Sequence, residues 1–266
     1  MSAPVAVVTG ANRGIGRAIA VAFAEAGYAV AAAARDPASL ADTLAEAEKA
    51  GAGKTGAGKT GGAVVPLACD VRDEASVAAL AERAERIGPV HAVVANAGVA
   101  GPTAPLHEIT LRDWRETVAT DLDGVFLTFR AFIPAMMARR AGSLTAISSM
   151  TGKRPLLGRT PYAAAKMGVI GLVRTLATEL GPYQIRVNAV CPGAIAGPRM
   201  EQVIRGQAAV RGIAEDQVRG EVTASSPLGR MVRPGEVAAA CVYLASDGAT
   251  AITGEDLNVT AGVVMY

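Results

Sequence analysis

The chain has 266 residues, 51% of them hydrophobic and 19% charged, a balance that excludes a disordered or fibrous protein and supports a substantial core. A net charge of +2 provides no footprint for nucleic acid or an acidic membrane surface. The cysteines Cys69, Cys191 and Cys241 lie far apart in apolar stretches, which predicts buried, reduced thiols in a cytoplasmic protein, with no disulfide and no metal site. The N-terminus lacks a basic segment followed by a long apolar run, and no apolar run approaches the roughly 20 residues of a membrane span, so neither a signal peptide nor a span is expected.

Short apolar runs alternate with longer amphipathic segments. Val5–Val8 predicts a strand and Ile15–Ala26 a helix, joined by a Gly-rich turn. Ala29–Ala33 predicts a second strand and Ala38–Lys49 a second helix. Next comes "GAGKTGAGKTGG", in which Gly53, Gly58, Lys59 and Thr60 satisfy the P-loop pattern. A working P-loop runs from strand to helix, so that amides and a helix N-terminus face the phosphates. Here a helix precedes the repeat, the strand Val64–Ala68 follows it, and Gly61-Gly62 opposes a helix start. The repeat therefore reads as a duplicated surface turn. Onward, Glu74–Ile87 predicts a helix, Ala92–Ala95 a strand, Leu111–Arg139 a long helix and Leu144–Ile147 a strand. Tyr162–Leu180 predicts a helix, Arg186–Val190 a strand, Pro234–Ala245 a helix and Leu257–Val259 a last strand. Strict alternation implies one α/β domain over 1–266, a Rossmann-type doubly wound parallel sheet of about seven strands with helices on both faces.

Two sets of residues carry chemistry. The first is the turn after the first strand, with Gly10, Gly14 and Gly16 spaced as TGxxxGxG. It lets backbone approach a pyrophosphate at a helix N-terminus. The second is Tyr162 and Lys166, at i and i+4 on one helix face. A free tyrosine ionises near pH 10, and a neighbouring ammonium favours the phenolate, making a general acid/base. Ser149 follows the fifth strand at the carboxyl edge of the sheet, where its hydroxyl can orient a substrate oxygen.

Thr9-Gly10-Ala11-Asn12-Arg13-Gly14-Ile15-Gly16, Asn96-Ala97-Gly98, the set Ser149, Tyr162 and Lys166, and Cys191-Pro192-Gly193 occur in that order. Together they resemble the short-chain dehydrogenase/reductase family over essentially the whole chain. The resemblance implies a nicotinamide cofactor held by the first turn, by Asn96, Ala97 and Gly98, and by Pro192, Gly193 and the backbone of Ile195. It makes Asp70 and Val71 adenine contacts and gives Lys166 a hold on the nicotinamide ribose. The family places an Asn seven residues after a Trp as a proton relay; counting from Trp114 reaches Asp121. An Asp there keeps the backbone role, while its carboxylate competes with Tyr162 for the ammonium of Lys166. Gly197 stands where many members carry Thr.

At the end of the second strand, Ala34 occupies the position of the usual acidic residue and Arg35 follows, with Arg13 aimed at the same region. Both arginines point to NADP rather than NAD. Lys153, Arg154, Arg159 and Arg199 follow Ser149 or Gly193. Facing the pocket, they imply an acidic substrate such as a sugar acid, a keto acid or an acyl carrier thioester; facing solvent, they imply nothing about it. Residues 198–227 read as a helical flap. The expectation is thus an oxidoreductase moving hydride between NADP(H) and a small polar alcohol or ketone, the alternative being a non-catalytic NADP-binding sensor. The resemblance further implies a homotetramer built on the fourth and fifth long helices, here carrying Val125, Phe126, Phe129, Phe132, Val169, Leu172, Val173 and Leu176.

Overall fold

The computed structural model describes residues 3–51, 55–56, 59–60 and 62–266. In chain order its strands are β1 (Val5–Thr9), β2 (Ala29–Ala34), β3 (Thr55–Gly56), β4 (Lys59–Thr60), β5 (Val64–Ala68), β6 (Val90–Ala95), β7 (Gly142–Ile147), β8 (Ile185–Pro192) and β9 (Asp256–Val259). The α-helices are α1 (Gly14–Glu25), α2 (Ala41–Lys49), α3 (Glu74–Ile87), α4 (Leu111–Val118), α5 (Gly124–Arg139), α6 (Thr160–Leu180), α7 (Pro198–Arg211), α8 (Glu215–Ala224) and α9 (Pro234–Ala245). Seven strands make one sheet in the order β5-β2-β1-β6-β7-β8-β9, every pair parallel. This is the Rossmann arrangement expected from the alternation.

Successive side chains of a strand point to opposite faces, and each face is buried under helices. Val5 and Val7 of β1 join Leu80 of α3, Phe129 and Phe132 of α5, and Val169 and Val173 of α6. Ala6 and Val8 join Ile19 and Phe23 of α1 and Val237 and Leu244 of α9. Of the eight residues expected on an outer, subunit-facing surface, Val125, Phe129, Phe132, Val169 and Val173 are therefore core of this chain. They face the sheet because the helices they sit on must cover it. Phe126 is exposed, and Leu172 and Leu176 are half-buried. All three cysteines are free and buried, and burial pushes the Cys241 thiol up to about 12.

The long helix expected over Leu111–Arg139 is broken. A π-helical turn at Ala119–Asp123 separates α4 from α5. Its wider coil turns Asp121 wholly inward, where Oδ1 accepts the Val99 amide at 2.8 Å. Single π turns of this kind are frequent at functional sites. In the GAGKT repeat, β3 pairs antiparallel with β4, while residues 52–54, 57–58 and 61, and with them Gly53 and Gly58 of the P-loop pattern, lie outside the described residues. The segment is preceded by α2 and followed by β5, the reverse of a P-loop's order.

Candidate active site

Strand order reverses between β1 and β6, and ligands of open α/β sheets bind beyond the carboxyl ends at such a point. The turn leaving β1 is held there by β6. The Asn96 amide donates to Thr9 Oγ1 at 3.0 Å, and Asn96 Nδ2 donates to Thr9 O at 2.9 Å and Gly10 O at 3.2 Å. Gly10 and Gly14 have φ of 65° and 55°, where a side chain is strained. A Cβ on Gly10 would meet Ala97 Cα at 2.9 Å, and one on Gly16 would overlap Gly10 O and Asn96 Nδ2. A Cβ on Gly14 would meet nothing within 4 Å. The start of α1 has no side-chain cap from Arg13, so the amides around Gly14, Ile15 and Gly16 lack intrahelical partners. Uncapped amides, a positive dipole end and an open backbone fit a dinucleotide pyrophosphate. Asn12 joins the turn by its carbonyl, which accepts from Arg17 at 3.0 Å.

At the end of β2, Ala34 is buried and Arg35 exposed. Asp36 does not pair with Arg35; its Oδ1 accepts the Ala38 amide at 2.9 Å and caps the next turn. Arg13 is exposed as well, and among the described residues neither Arg13 nor Arg35 joins an ion pair. Beyond β5, Asp70 is held by Arg72 through contacts of 3.0 and 2.6 Å, which hold its carboxyl below the ordinary value. Val71 is core, its Cγ2 lying 2.8 Å from where a Cβ on Gly124 would stand.

At the carboxyl ends of β6 and β7 the catalytic candidates meet. Lys166 is buried, and its ammonium donates to Ile147 O at 2.9 Å, lies 3.8 Å from Asp121 Oδ1 and 5.7 Å from the Tyr162 ring centroid. Ser148 Oγ donates to Lys166 O at 2.8 Å, tying β7 to α6. Ser149 Oγ accepts the Thr151 amide at 3.1 Å, leaving its own proton to donate. Gly98 approaches so closely that a Cβ there would lie 2.5 Å from Asp121 Oδ1. Burial pushes the Asp121 carboxyl above its ordinary value, against the opposing pull of Lys166, Arg199, the Val99 amide and Arg159; its Oδ2 has no hydrogen-bond partner among the described residues. On the far side, Pro192 ends β8, a Cβ on Gly193 would meet Thr260 Cα at 2.9 Å, and Ile195 bridges to Val232.

The structure separates the four cations that the sequence leaves facing either the pocket or solvent. Lys153 turns to β9, donating to Asn258 Oδ1 at 3.2 Å and lying 3.4 Å from Asp256 Oδ2. Its ammonium is thus engaged away from Tyr162. Arg154 is exposed. Arg159 is buried against the Tyr162 ring, with Cζ 4.9 Å from the centroid. It is close enough to feel the charges of Arg199 and Asp121. The α7 helix docks over this corner. Gln207 Nε2 donates to Leu157 O at 2.6 Å, and a Cβ on Gly206 would press Thr103 at 2.9 Å. Thr103, Gly206 and Gln207 carry no motif, and only their meeting in space marks them.

This sheet, with a Gly-rich turn at its switch point and a Tyr–Lys helix beside it, is that of nucleotide-binding α/β oxidoreductases. A family model described as enoyl-(acyl carrier protein) reductase matches residues 10–264, and the chain belongs to the short-chain dehydrogenase/reductase family. It is 40% identical to cis-4-hydroxycyclohexanecarboxylate dehydrogenase of Sinomonas cyclohexanicum over 97% of this chain and 95% of that protein. It is 37% identical to acetoacetyl-CoA reductase of a Synechocystis species over 96% and 94%. Among solved structures, an actinorhodin polyketide ketoreductase variant with NADPH superposes with a TM-score of 0.89 at 36% identity, covering 99% of this chain and 98% of that one. The protein is an oxidoreductase of alcohol and ketone substrates.

Proposed function

We propose that the protein is an NADP(H)-dependent ketone reductase or alcohol dehydrogenase for a small polar substrate. The observation that carries this is the buried Lys166 ammonium 5.7 Å from the Tyr162 ring, at the carboxyl edge beside the Gly-rich turn. The nicotinamide, when bound, supplies or accepts the hydride. Tyr162 passes a proton to or from the substrate oxygen, and Ser149 donates to that oxygen and orients it. Lys166, fixed by Ile147 O, holds a positive charge beside Tyr162 and reaches the nicotinamide ribose. Asp121, bonded to the Val99 amide, braces the loop after Gly98 that would flank the bound ribose. Thr9, Gly10, Asn12, Arg13, Gly14, Ile15 and Gly16 cradle the pyrophosphate, Asp70 and Val71 flank the adenine, and Asn96 to Gly98, Pro192, Gly193 and Ile195 line the nicotinamide.

Arg13 and Arg35, with Ala34 in place of a carboxylate, support NADP(H), the cofactor bound in the ketoreductase structure; an NAD+-bound xylitol dehydrogenase of the same fold carries the other cofactor. The α7–α8 pair, with its own small core of Ile204, Ala208 and Val218, serves as the flap within a single domain. Exposed Phe126 on α5 and Met167 on α6 support a homo-oligomer, a tetramer by family habit, and the three buried free cysteines fit a cytoplasmic protein. No described helix is long and apolar enough to cross a membrane. The test is consumption of NADPH and NADH with a panel of ketones and alcohols, with cofactor fluorescence alongside. Cofactor binding without turnover of any substrate supports the non-catalytic alternative, and a preference for NADH overturns the cofactor assignment.

A further inference from the structure

Arg159 is 4% exposed, and no carboxylate among the described residues lies within ion-pair distance of it. Its guanidinium has five donors. Nη2 donates to Ala100 O at 2.6 Å and Nη1 to Thr103 Oγ1 at 3.3 Å, while Nε has no partner among the described residues. Burial pushes its pKa below the ordinary arginine value and the neighbouring Arg199 adds to this, against the opposing pull of Tyr162 and Asp121. An interior cation without a counter-ion is costly, and such sites are satisfied by a paired anion. Arg199, on the first turn of α7, is a second cation in the same field and joins no ion pair among the described residues. Some surface arginines of this chain pair with carboxylates, Arg219 with Glu201, Arg211 with Glu221 and Arg230 with Glu236, and solvent serves those that do not; among the described residues, buried Arg159 has neither.

We infer that Arg159, with Arg199, forms a carboxylate subsite, and that the substrate is a compact oxo acid or hydroxy acid whose acid group lies a few carbons from the reacting carbon. The spacing follows from the geometry. The guanidinium lies 4.9 Å from the Tyr162 ring, so a carboxylate bonded to it at about 2.7–2.9 Å stays beside the reacting carbonyl. Arg159 is thus a specificity-determining residue, and this inference rests on the reductase reading above.

The test compares acetoacetate, levulinate and 4-oxocyclohexanecarboxylate with their methyl esters, using NADPH and the full-length enzyme. At least one acid should exceed its ester by about ten- to a hundredfold in kcat/KM, the range of a charge-assisted hydrogen bond. Arg159→Gln, whose amide can still donate to Ala100 O, should collapse that ratio towards one, and exposed Arg199→Gln should reduce it several-fold. Equal losses on acid and ester in Arg159→Gln, or no acid preference in the wild type, overturn the subsite. A second readout does not depend on turnover: cyclohexanecarboxylate should raise the Tm of the NADPH-loaded wild type more than its amide or inorganic phosphate does. If Arg159→Gln does not fold, Arg199→Gln carries the same comparison. A carboxylate-specific shift without turnover of any ketone retains the subsite and sinks the reductase reading instead. Equal shifts from carboxylate and amide, or a larger one from phosphate, overturn the subsite.

Discussion

At the nucleotide end of the crevice, close backbone approach sets the turn: a Cβ on Gly10 would meet Ala97 Cα and one on Gly16 would overlap Gly10 O, with Thr9 Oγ1 and Asn96 Nδ2 tying side chain to backbone across the ends of two adjacent strands. At the substrate end, Arg159, Ala100, Thr103, Leu157 and Gln207 come from three separate segments joined mainly by side chains. A backbone-built region tolerates many side chains but no extra atom where chains touch. A side-chain-built region can change what it recognises while the sheet beneath stays the same. The two ends should therefore fail differently when altered.

The largest effect belongs to the junction of the two ends. Tyr162→Phe keeps the ring under Arg159 and removes the transferable proton, so kcat should fall about 10²–10⁴-fold, with NADP(H) affinity little changed by fluorescence titration. Turnover like the wild type's would remove Tyr162 from the mechanism.

Within the nucleotide end, Gly16→Ala and Gly14→Ala separate packing from access. The Gly16 methyl would overlap Gly10 O and Asn96 Nδ2, costing about 1–3 kcal/mol of stability, together with cofactor affinity. The Gly14 methyl meets no protein atom and costs roughly 1 kcal/mol in backbone strain. It should weaken cofactor binding more than it lowers Tm. Thermal unfolding with and without NADPH distinguishes them; a Gly16→Ala protein as stable as wild type would break the backbone-built account. Arg35→Ala should weaken NADPH about ten- to a hundredfold and NADH far less, read as kcat/KM for each cofactor.

Asp121 titrates between the two ends. Its folded value is raised above the 3.8 of a free carboxyl by burial. The folded state therefore binds the proton more tightly than the unfolded chain does. The resulting stabilisation is complete below 3.8 and is lost as pH rises through the raised folded value. Asp121→Asn has no such proton to lose. Its Tm relative to wild type should rise steadily from acid towards neutral pH and then level off; a pH-independent difference would contradict a raised Asp121. The smallest effect is expected from deleting Gly56 to Thr60, since loop closure depends weakly on length, and Tm and kcat should stay near wild type.

What was legible in the sequence tracks this contrast. The TGxxxGxG turn, Asn96-Ala97-Gly98 and the Tyr162–Lys166 spacing are local patterns, and local patterns fix backbone conformation and a shared helix face. The alternation of apolar runs was enough for a seven-stranded parallel sheet, because each strand needs a helix on either face. The π turn at Ala119–Asp123 was not legible. A one-residue widening leaves the apolar pattern of the long helix almost intact, and the Val99 amide that Asp121 meets there lies 22 positions away in sequence. Apolar residues on α5 and α6 looked free to face another subunit until the sheet was seen to take Phe129, Phe132, Val169 and Val173. Four cations near the pocket read alike in the sequence. Only tertiary contacts sent Lys153 to Asp256 and buried Arg159 against Tyr162, since a long side chain's partner is set by what the fold brings within its reach.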